Sequence, residues 1–442
     1  MTGRWGRAFR LPRPITWFDR ELVATSRRAR KGVRELGPGL ITGVADDDPS
    51  GISTYTITGA SFGYRLLWMS PVTLPLNIAV QSICARMGIV TGKGLARVIA
   101  NRHGQGMLYP LVLLLLLANI VNIGADIGAI AAAIELLTPL PALALVVPIG
   151  VGIALVEVLV PYPTFARYLK LLTLVVFAYV IGAFFASPDW GAAARATSIP
   201  RITLDSAGLA AIVAILGTTI SPYLFFWQAS EEVEEEEAHG TKPLALAPAQ
   251  MRALLRACHF DVFTGMVLAN VGFYFVVLTS AAALHASGQT EVSTAAQAAE
   301  ALRPLAGNAA SLLFALGIIG TGLLAIPVLA GSSAYAAAEL FGWREGLSST
   351  FRQAPQFYAV IAIATLLGII LNFAGVSEIR ALYFAAILNG VTAPVLLVVI
   401  MLAAGDREVL GEFVPGRLLL GLGWLTAGVM TIAALAMFAT LG

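Results

Sequence analysis

Gly37-Pro-Gly-Leu-Ile-Thr-Gly-Val-Ala45, then Asp46-Asp47-Asp48-Pro49-Ser50-Gly51, then Ile52-Ser-Thr-Tyr-Thr-Ile-Thr58: an apolar run enters, three acids and a proline interrupt it, and a second run leaves. A membrane span needs about 20 apolar residues, and this stretch has the length of one. Its middle does not suit hydrocarbon. Proline removes a helical hydrogen bond, and each acid near a bilayer centre costs about 2.5–3.5 kcal/mol. Non-helical backbone at that depth is tolerated where it lines a cavity or is buried in protein. The stretch therefore reads as a broken transmembrane helix.

The interruption occurs once more. Ala210 to Leu216 is followed by Gly217-Thr-Thr-Ile-Ser221-Pro222-Tyr223-Leu-Phe-Phe-Trp227, and Pro49 and Pro222 lie 173 residues apart. Around them the chain offers eleven candidate spans, at 38–61, 66–88, 108–136, 142–160, 165–186, 207–230, 257–283, 308–337, 357–374, 381–403 and 417–440. Each break opens a block of five. Interrupted helices at corresponding positions of two halves point to an inverted-repeat transporter, with its site where the helices break. The halves share little sequence beyond this spacing. The expected organisation is a basic arm at 1–37, a first repeat at 38–206 broken at 46–51, a second at 207–403 broken at 217–223, and a linker with an eleventh helix at 404–442.

Composition agrees. Of 442 residues, 58% are hydrophobic and 12% charged, with mean hydropathy +0.81, whereas soluble domains run near a quarter charged. That excludes a soluble enzyme or binding module. Unbroken apolar runs such as Leu111–Ala118 exclude an outer-membrane barrel, whose strands alternate. A net charge of +2 gives no case for nucleic acid. Cys84 and Cys258 make no disulfide framework, and His103, His239, His259 and His285 are scattered singly. Residues 1–37 hold ten basic residues against Asp19, Glu21 and Glu35. They read as a cytosolic arm, not a signal peptide. Basic loops after the second and fourth spans then fall on the cytosolic side of the cytoplasmic membrane, and eleven spans leave the C-terminus outside.

Asp46, Asp47 and Asp48 carry the strongest chemical signal. Unpartnered, they together cost roughly 8–10 kcal/mol, and no basic residue is near in sequence, so a cation is the economical partner. The plainer reading has Asp48 N-capping a helix that starts at Pro49, with the acids at the membrane surface. Both hold together if the broken helix turns free carbonyls and a carboxylate to one point. In the third span Asn119, Asn122 and Asp126 share a helical face, either lining a path or bonding neighbouring helices. Asn77, Gln81, Asn270, Asn389 and Thr392 read as interhelical glue. The run Glu231–Glu237 reads as a solvated helix end, or as a negative vestibule that concentrates cations.

At these residues the chain resembles the NRAMP family of divalent-metal transporters. Gly37-Pro-Gly, Asp48-Pro49, Gly63-Tyr-Arg-Leu-Leu-Trp68 and Ala85-Arg-Met-Gly-Ile-Val-Thr-Gly-Lys93 follow that family's first two helices. Gly217-Thr-Thr-Ile-Ser-Pro222, Asp261 and the Gly342-Trp-Arg344 loop also fit. The resemblance implies the LeuT-type fold, an all-α membrane protein of two inverted five-helix repeats plus an eleventh helix. It also implies Asp48 as principal metal ligand, assisted by the Ala45 and Thr218 carbonyls.

The departures have a direction. Where the family has Asp-Pro-Gly-Asn, this chain has Asp48-Pro49-Ser50-Gly51. Where it has Met-Pro-His, this chain has Ser221-Pro222-Tyr223. Asp126 keeps a third-helix aspartate tied to proton movement, but Ala129 replaces the glutamate three residues on. A thioether favours softer metals, and oxygen donors favour magnesium, calcium and manganese. Magnesium often keeps waters and binds through one or two carboxylates. The pattern resembles the NRAMP-related magnesium transporter branch, with Ser221, Gly51 and Tyr223 shaping a roomy cavity and Asp46 and Asp47 attracting or holding the hydrated ion.

The expectation is thus a carrier, not an enzyme, importing Mg2+ and also Mn2+ by alternating access without proton coupling. Its partners are divalent ions and the lipid bilayer, with no cofactor and no obligate protein partner. The alternatives are a proton-coupled Mn2+/Fe2+ importer, an organic-solute symporter of the same fold, and a metal sensor without flux.

Overall fold

The computed structural model describes residues 37–160, 162–201, 205–238, 240, 246–292, 295–374 and 378–441. Apart from Gly37, the basic arm expected at 1–37 lies outside them. Among the described residues the structure is helical throughout, with no strand. The first half comprises α1 (Pro38–Ala45), α2 (Pro49–Phe62), α3 (Met69–Thr91), α4 (Leu95–His103), α5 (Gln105–Leu137) and α6 (Ala142–Leu159). Next come α7 (Tyr162–Leu172) and α8 (Val176–Phe185), joined by a 3-10 turn, and the short α9 (Trp190–Ser198). The second half comprises α10 (Ser206–Thr219), α11 (Pro222–Ala238), α12 (Pro248–Ser280), α13 (Ala295–Phe341), α14 (Pro355–Phe373), α15 (Glu378–Ala404), α16 (Arg407–Leu410) and α17 (Arg417–Leu441).

Nine helical stretches among the described residues are long and apolar enough to cross a membrane. The other two expected spans are the pair α1–α2, divided into pieces of 8 and 14 residues, and α15, whose apolar stretch is Thr392–Ala404. This is a multi-pass membrane protein.

Both breaks are narrower than the sequence indicates. The amides of Asp46 and Asp47 still bond the carbonyls of Gly43 and Val44, at 3.1 and 3.1 Å. Asp48, with ψ 165, then turns the chain. Its carboxylate accepts the Gly51 N–H at 2.6 Å and the Ser50 hydroxyl at 2.7 Å. Pro49 occupies the first helical position, where its missing N–H costs nothing. The first break is therefore Asp46–Asp48, not 46–51. The second is Ile220–Ser221, not 217–223, because Gly217 and Thr218 remain in the last turn of α10 and Pro222 starts α11.

Glycine lets α1 lie directly on α12. A Cβ at Gly43 would stand 2.1 Å from the Gly265 carbonyl carbon, and one at Gly265 would stand 2.0 Å from the Gly39 carbonyl oxygen. Small residues permit this backbone-to-backbone approach between membrane helices.

The glutamate run corrects its expected reading as a solvated end or open vestibule. Glu231, Glu232, Glu234 and Glu236 of α11 are buried. Glu232 accepts from the Gln228 amide at 2.7 Å and the Cys258 thiol at 3.3 Å. Tyr335 donates its hydroxyl to Glu231 at 3.1 Å, and the Ser348 N–H donates to Glu234 at 3.1 Å. These carboxylates fasten α11 to α12, to α13 and to the loop beyond it.

Candidate metal site

Asp46, Asp47 and Asp48 are all buried, with side chains no more than 3% exposed. The surface-exposed version of the capping reading therefore fails, although Asp48 does cap α2. Capping fixes the Asp48 carboxylate above the first turn of α2, next to Gly51. A Cβ at Gly51 would lie 3.1 Å from the Asp46 carbonyl oxygen, 3.2 Å from Thr218 Oγ1 and 3.3 Å from Asp48 Oδ1. Oxygens from the first break and from the last turn of α10 thus surround the position that a side chain at Gly51 would take. Thr218 reaches it with its hydroxyl, and Asp46 with its backbone carbonyl, which the sequence reading did not single out.

The carbonyls of Ala45 and Thr218, expected as free ligands, already accept hydrogen bonds. Tyr223 donates its hydroxyl to the Ala45 carbonyl at 2.8 Å, and Ser221 donates to the Thr218 carbonyl at 2.9 Å. The two residues that depart from the family's Met and His patterns thus occupy the carbonyls on either side of the site. Each carbonyl keeps a second lone pair.

Asp47 does not join this group. Its carboxylate turns to α12, where a Cβ at Gly272 would stand 2.0 Å from Oδ2. Neither Asp47 carboxylate oxygen has a hydrogen-bond partner among the described residues, and the same is true of Asp46 Oδ1. Asp126 and Asn122 are buried on α5, which packs beside α2. Asn119 serves as glue. Its amide donates to the Leu329 carbonyl at 3.2 Å and to the hydroxyls of Ser332 and Ser333 at 3.0 and 2.9 Å.

Three acids outside the expected site hold the scaffold or sit alone in it. Asp261 of α12 accepts the N–H groups of Gly39 and Leu40 at 2.7 and 3.2 Å, capping α1 from a distant helix. Glu339 accepts the Arg97 N–H at 2.8 Å, near the start of α4. Glu157 is buried in α6, and neither of its carboxylate oxygens has a hydrogen-bond partner among the described residues. The signal for Asp261 was present: α1 starts Gly37-Pro38 with no capping side chain of its own, so its N–H groups need a remote acceptor. Asp261→Ala leaves two buried donors unpaired, about 1–3 kcal/mol each. It should lower the melting temperature of the purified protein by several degrees, with Asn in its place giving a smaller drop. Melting like the wild type would remove this role.

Residues 39–440 match the family Nramp, described as natural resistance-associated macrophage protein-like. The chain belongs to the Nramp family. Among relatives, the divalent metal cation transporter MntH of Yersinia pestis is 27% identical over 411 residues, covering 89% of this chain and 92% of that one. MntH of Pectobacterium carotovorum is 26% identical over 429 residues, covering 95% and 97%. Among solved structures, the Eremococcus coleocola manganese transporter, in complex with an aromatic bis-isothiourea substituted compound, superimposes with TM-score 0.74. It is 20% identical and covers 92% of this chain and 86% of that one. Mhp1, a nucleobase-cation-symport-1 family transporter, gives TM-score 0.59 at 14% identity, covering 92% of each. This Nramp chain therefore has the LeuT-type fold.

Proposed function

We propose that this chain carries divalent metal cations across the membrane by alternating access, the metal being cargo and not a cofactor. The observation that carries the reading is the set of oxygens around the open position at Gly51: the Asp46 carbonyl and Asp48 carboxylate of the first break, both residues buried, and the half-buried Thr218 hydroxyl from the last turn of α10. Manganese is the cargo that the relatives support. They are named as divalent metal or manganese transporters, and a carboxylate–carbonyl–hydroxyl donor set accepts Mn2+ as it does Mg2+. On this reading the chain is a proton-coupled importer of the ordinary Nramp kind, with Mn2+ favoured over the softer Fe2+ and with buried Asp126 as the titratable group of the third span. The proposed repeats are 38–206 and 207–403.

One observation favours a second reading, the magnesium branch without proton coupling. No thioether or imidazole stands at either break; Ser221 and Tyr223 present hydroxyls, and Ala129 stands on α5 where a second acid would serve proton movement. The test is uptake into proteoliposomes that hold dyes for Mn2+, Mg2+ and pH. Mn2+ entry with lumenal acidification and little Mg2+ supports the first reading. Mg2+ entry with flat pH moves the assignment to the second, and binding without flux removes both. A second variant tests the donor argument itself. Gly51→Asn with Ser221→Met should raise the Mn2+-to-Mg2+ uptake ratio about tenfold, equivalent to ~1.4 kcal/mol. An unchanged ratio would count against ligand softness as the determinant.

A further inference from the structure

A cavity of about 650 Å³ lies between the 3-10 turn Gly63–Leu66, α9 and the π-helical turn Ala281–His285 that follows α12, and three arginines line it: Arg65, Arg195 and Arg201. This is the end of α3 opposite Lys93. The sole acid in the lining is Asp189, and its carboxylate is engaged in accepting the Ala192 N–H at 2.9 Å to cap α9. Among the described residues no carboxylate lies within ion-pair distance of the three arginines. The walls between them are largely apolar, formed by Phe62, Ile199 and alanines of the turn after α12. Like charges gathered between low-dielectric walls focus a field that attracts the opposite sign. A cation carrier has no use for this positive field, which opposes its cargo.

The location narrows the ligand. Trp190, the first residue of α9, packs on Phe184 of α8 with ring centroids 5.5 Å apart, and both rings are exposed. Tryptophan is enriched at the membrane–water boundary. An exposed tryptophan beside the cavity, at the end of the apolar helix α8, fits a cavity mouth at head-group depth, where phosphate esters are the abundant anion. Guanidinium forks match phosphate oxygens pairwise. We infer that this cavity is a phosphate-binding site, taking the phosphate of an anionic lipid head group or a free phosphate anion. The site also touches the broken helix: the His285 ring bonds the Ala60 carbonyl of α2 at 2.8 Å beside Gly63. Whatever fills the cavity rests against the end of α2 remote from Asp48.

The test compares the full-length protein with the triple variant Arg65→Gln/Arg195→Gln/Arg201→Gln, and with Arg407→Gln as a control at an exposed arginine elsewhere. Each is purified from nanodiscs containing phosphatidylglycerol and phosphatidylcholine, and retained lipid is counted by native mass spectrometry. In parallel, each is melted with and without inorganic phosphate at constant ionic strength. A head-group site predicts at least a threefold loss of retained phosphatidylglycerol in the triple variant alone. A free-anion site predicts that phosphate raises the melting temperature of the wild type and the control but not of the triple variant. Equal lipid retention together with equal phosphate response in all three proteins would overturn the inference. The substituted arginines are exposed, so an unchanged melting temperature without phosphate confirms that the variant is folded. If the triple variant melts lower, the set Arg65→Lys/Arg195→Lys/Arg201→Lys replaces it. That set keeps the charge and loses the fork, and it should show a smaller loss in the same two readouts.

Discussion

Asp48→Ala should bring metal uptake to the level of protein-free vesicles while leaving a folded, extractable protein. The carboxylate has two separable duties. It caps α2 through the Gly51 N–H at 2.6 Å, and on the proposed reading it supplies the carboxylate oxygen 3.3 Å from the position at Gly51. Losing a capping side chain costs about 0.5–2 kcal/mol, too little to unfold a protein stable by roughly 5–15 kcal/mol. Losing the charge removes the main attraction for a divalent ion. Asp48→Asn separates the two, since asparagine caps nearly as well and is neutral. It should melt close to the wild type and transport as poorly as the alanine variant. Uptake above half of the wild-type rate in either variant would remove Asp48 from the site.

Gly43→Val should fail at an earlier stage, in folding. A Cβ there meets the Gly265 carbonyl carbon and oxygen at 2.1 and 2.2 Å. These are backbone atoms of a 33-residue helix, so no side chain can rotate away, and α1 must lift from α12. Lifting separates Asp261 from the N–H groups of Gly39 and Leu40 as well. Overpacking in a tight core costs about 1–3 kcal/mol and occasionally more, and two stranded donors add about 1–3 kcal/mol each. The expected result is a large loss of monodisperse protein on extraction and a much lower melting temperature. A normal yield with wild-type melting would show that the α1–α12 contact is looser than described.

The sequence made the spans and both breaks legible because they rest on local rules: apolar length, proline at a helix start, and acids where hydrocarbon is expected. The widths of the breaks were less legible. Asp48 caps so effectively that Ser50 and Gly51 are drawn into the first turn of α2, and helical bonding continues into Asp46 and Asp47 from the other side. Partners distant in sequence were not legible at all. The Tyr223 hydroxyl finds Ala45 178 residues away, and Asp261 finds Gly39 222 residues away. The glutamates of α11 show the same limit. A run of acids reads as solvated because composition carries no information on Tyr335, Ser348 or Cys258, which satisfy them in the fold. Asp47 was grouped with Asp48 because they are neighbours in the chain, yet at the end of a helix adjacent side chains diverge, and the smallness of Gly272 gave Asp47 a separate seat.

The hydroxyls of Tyr223 and Ser221 are resident competitors. Each already satisfies a carbonyl at a helix break, so an arriving ion that uses those oxygens must share or displace a partner in place. Exchange lowers the net gain on binding, because the empty state is not left wanting. It also gives departure a ready substitute, since the hydroxyl closes back on the carbonyl as the ion leaves. On the proposed reading, a site arranged this way trades tight capture for quick turnover.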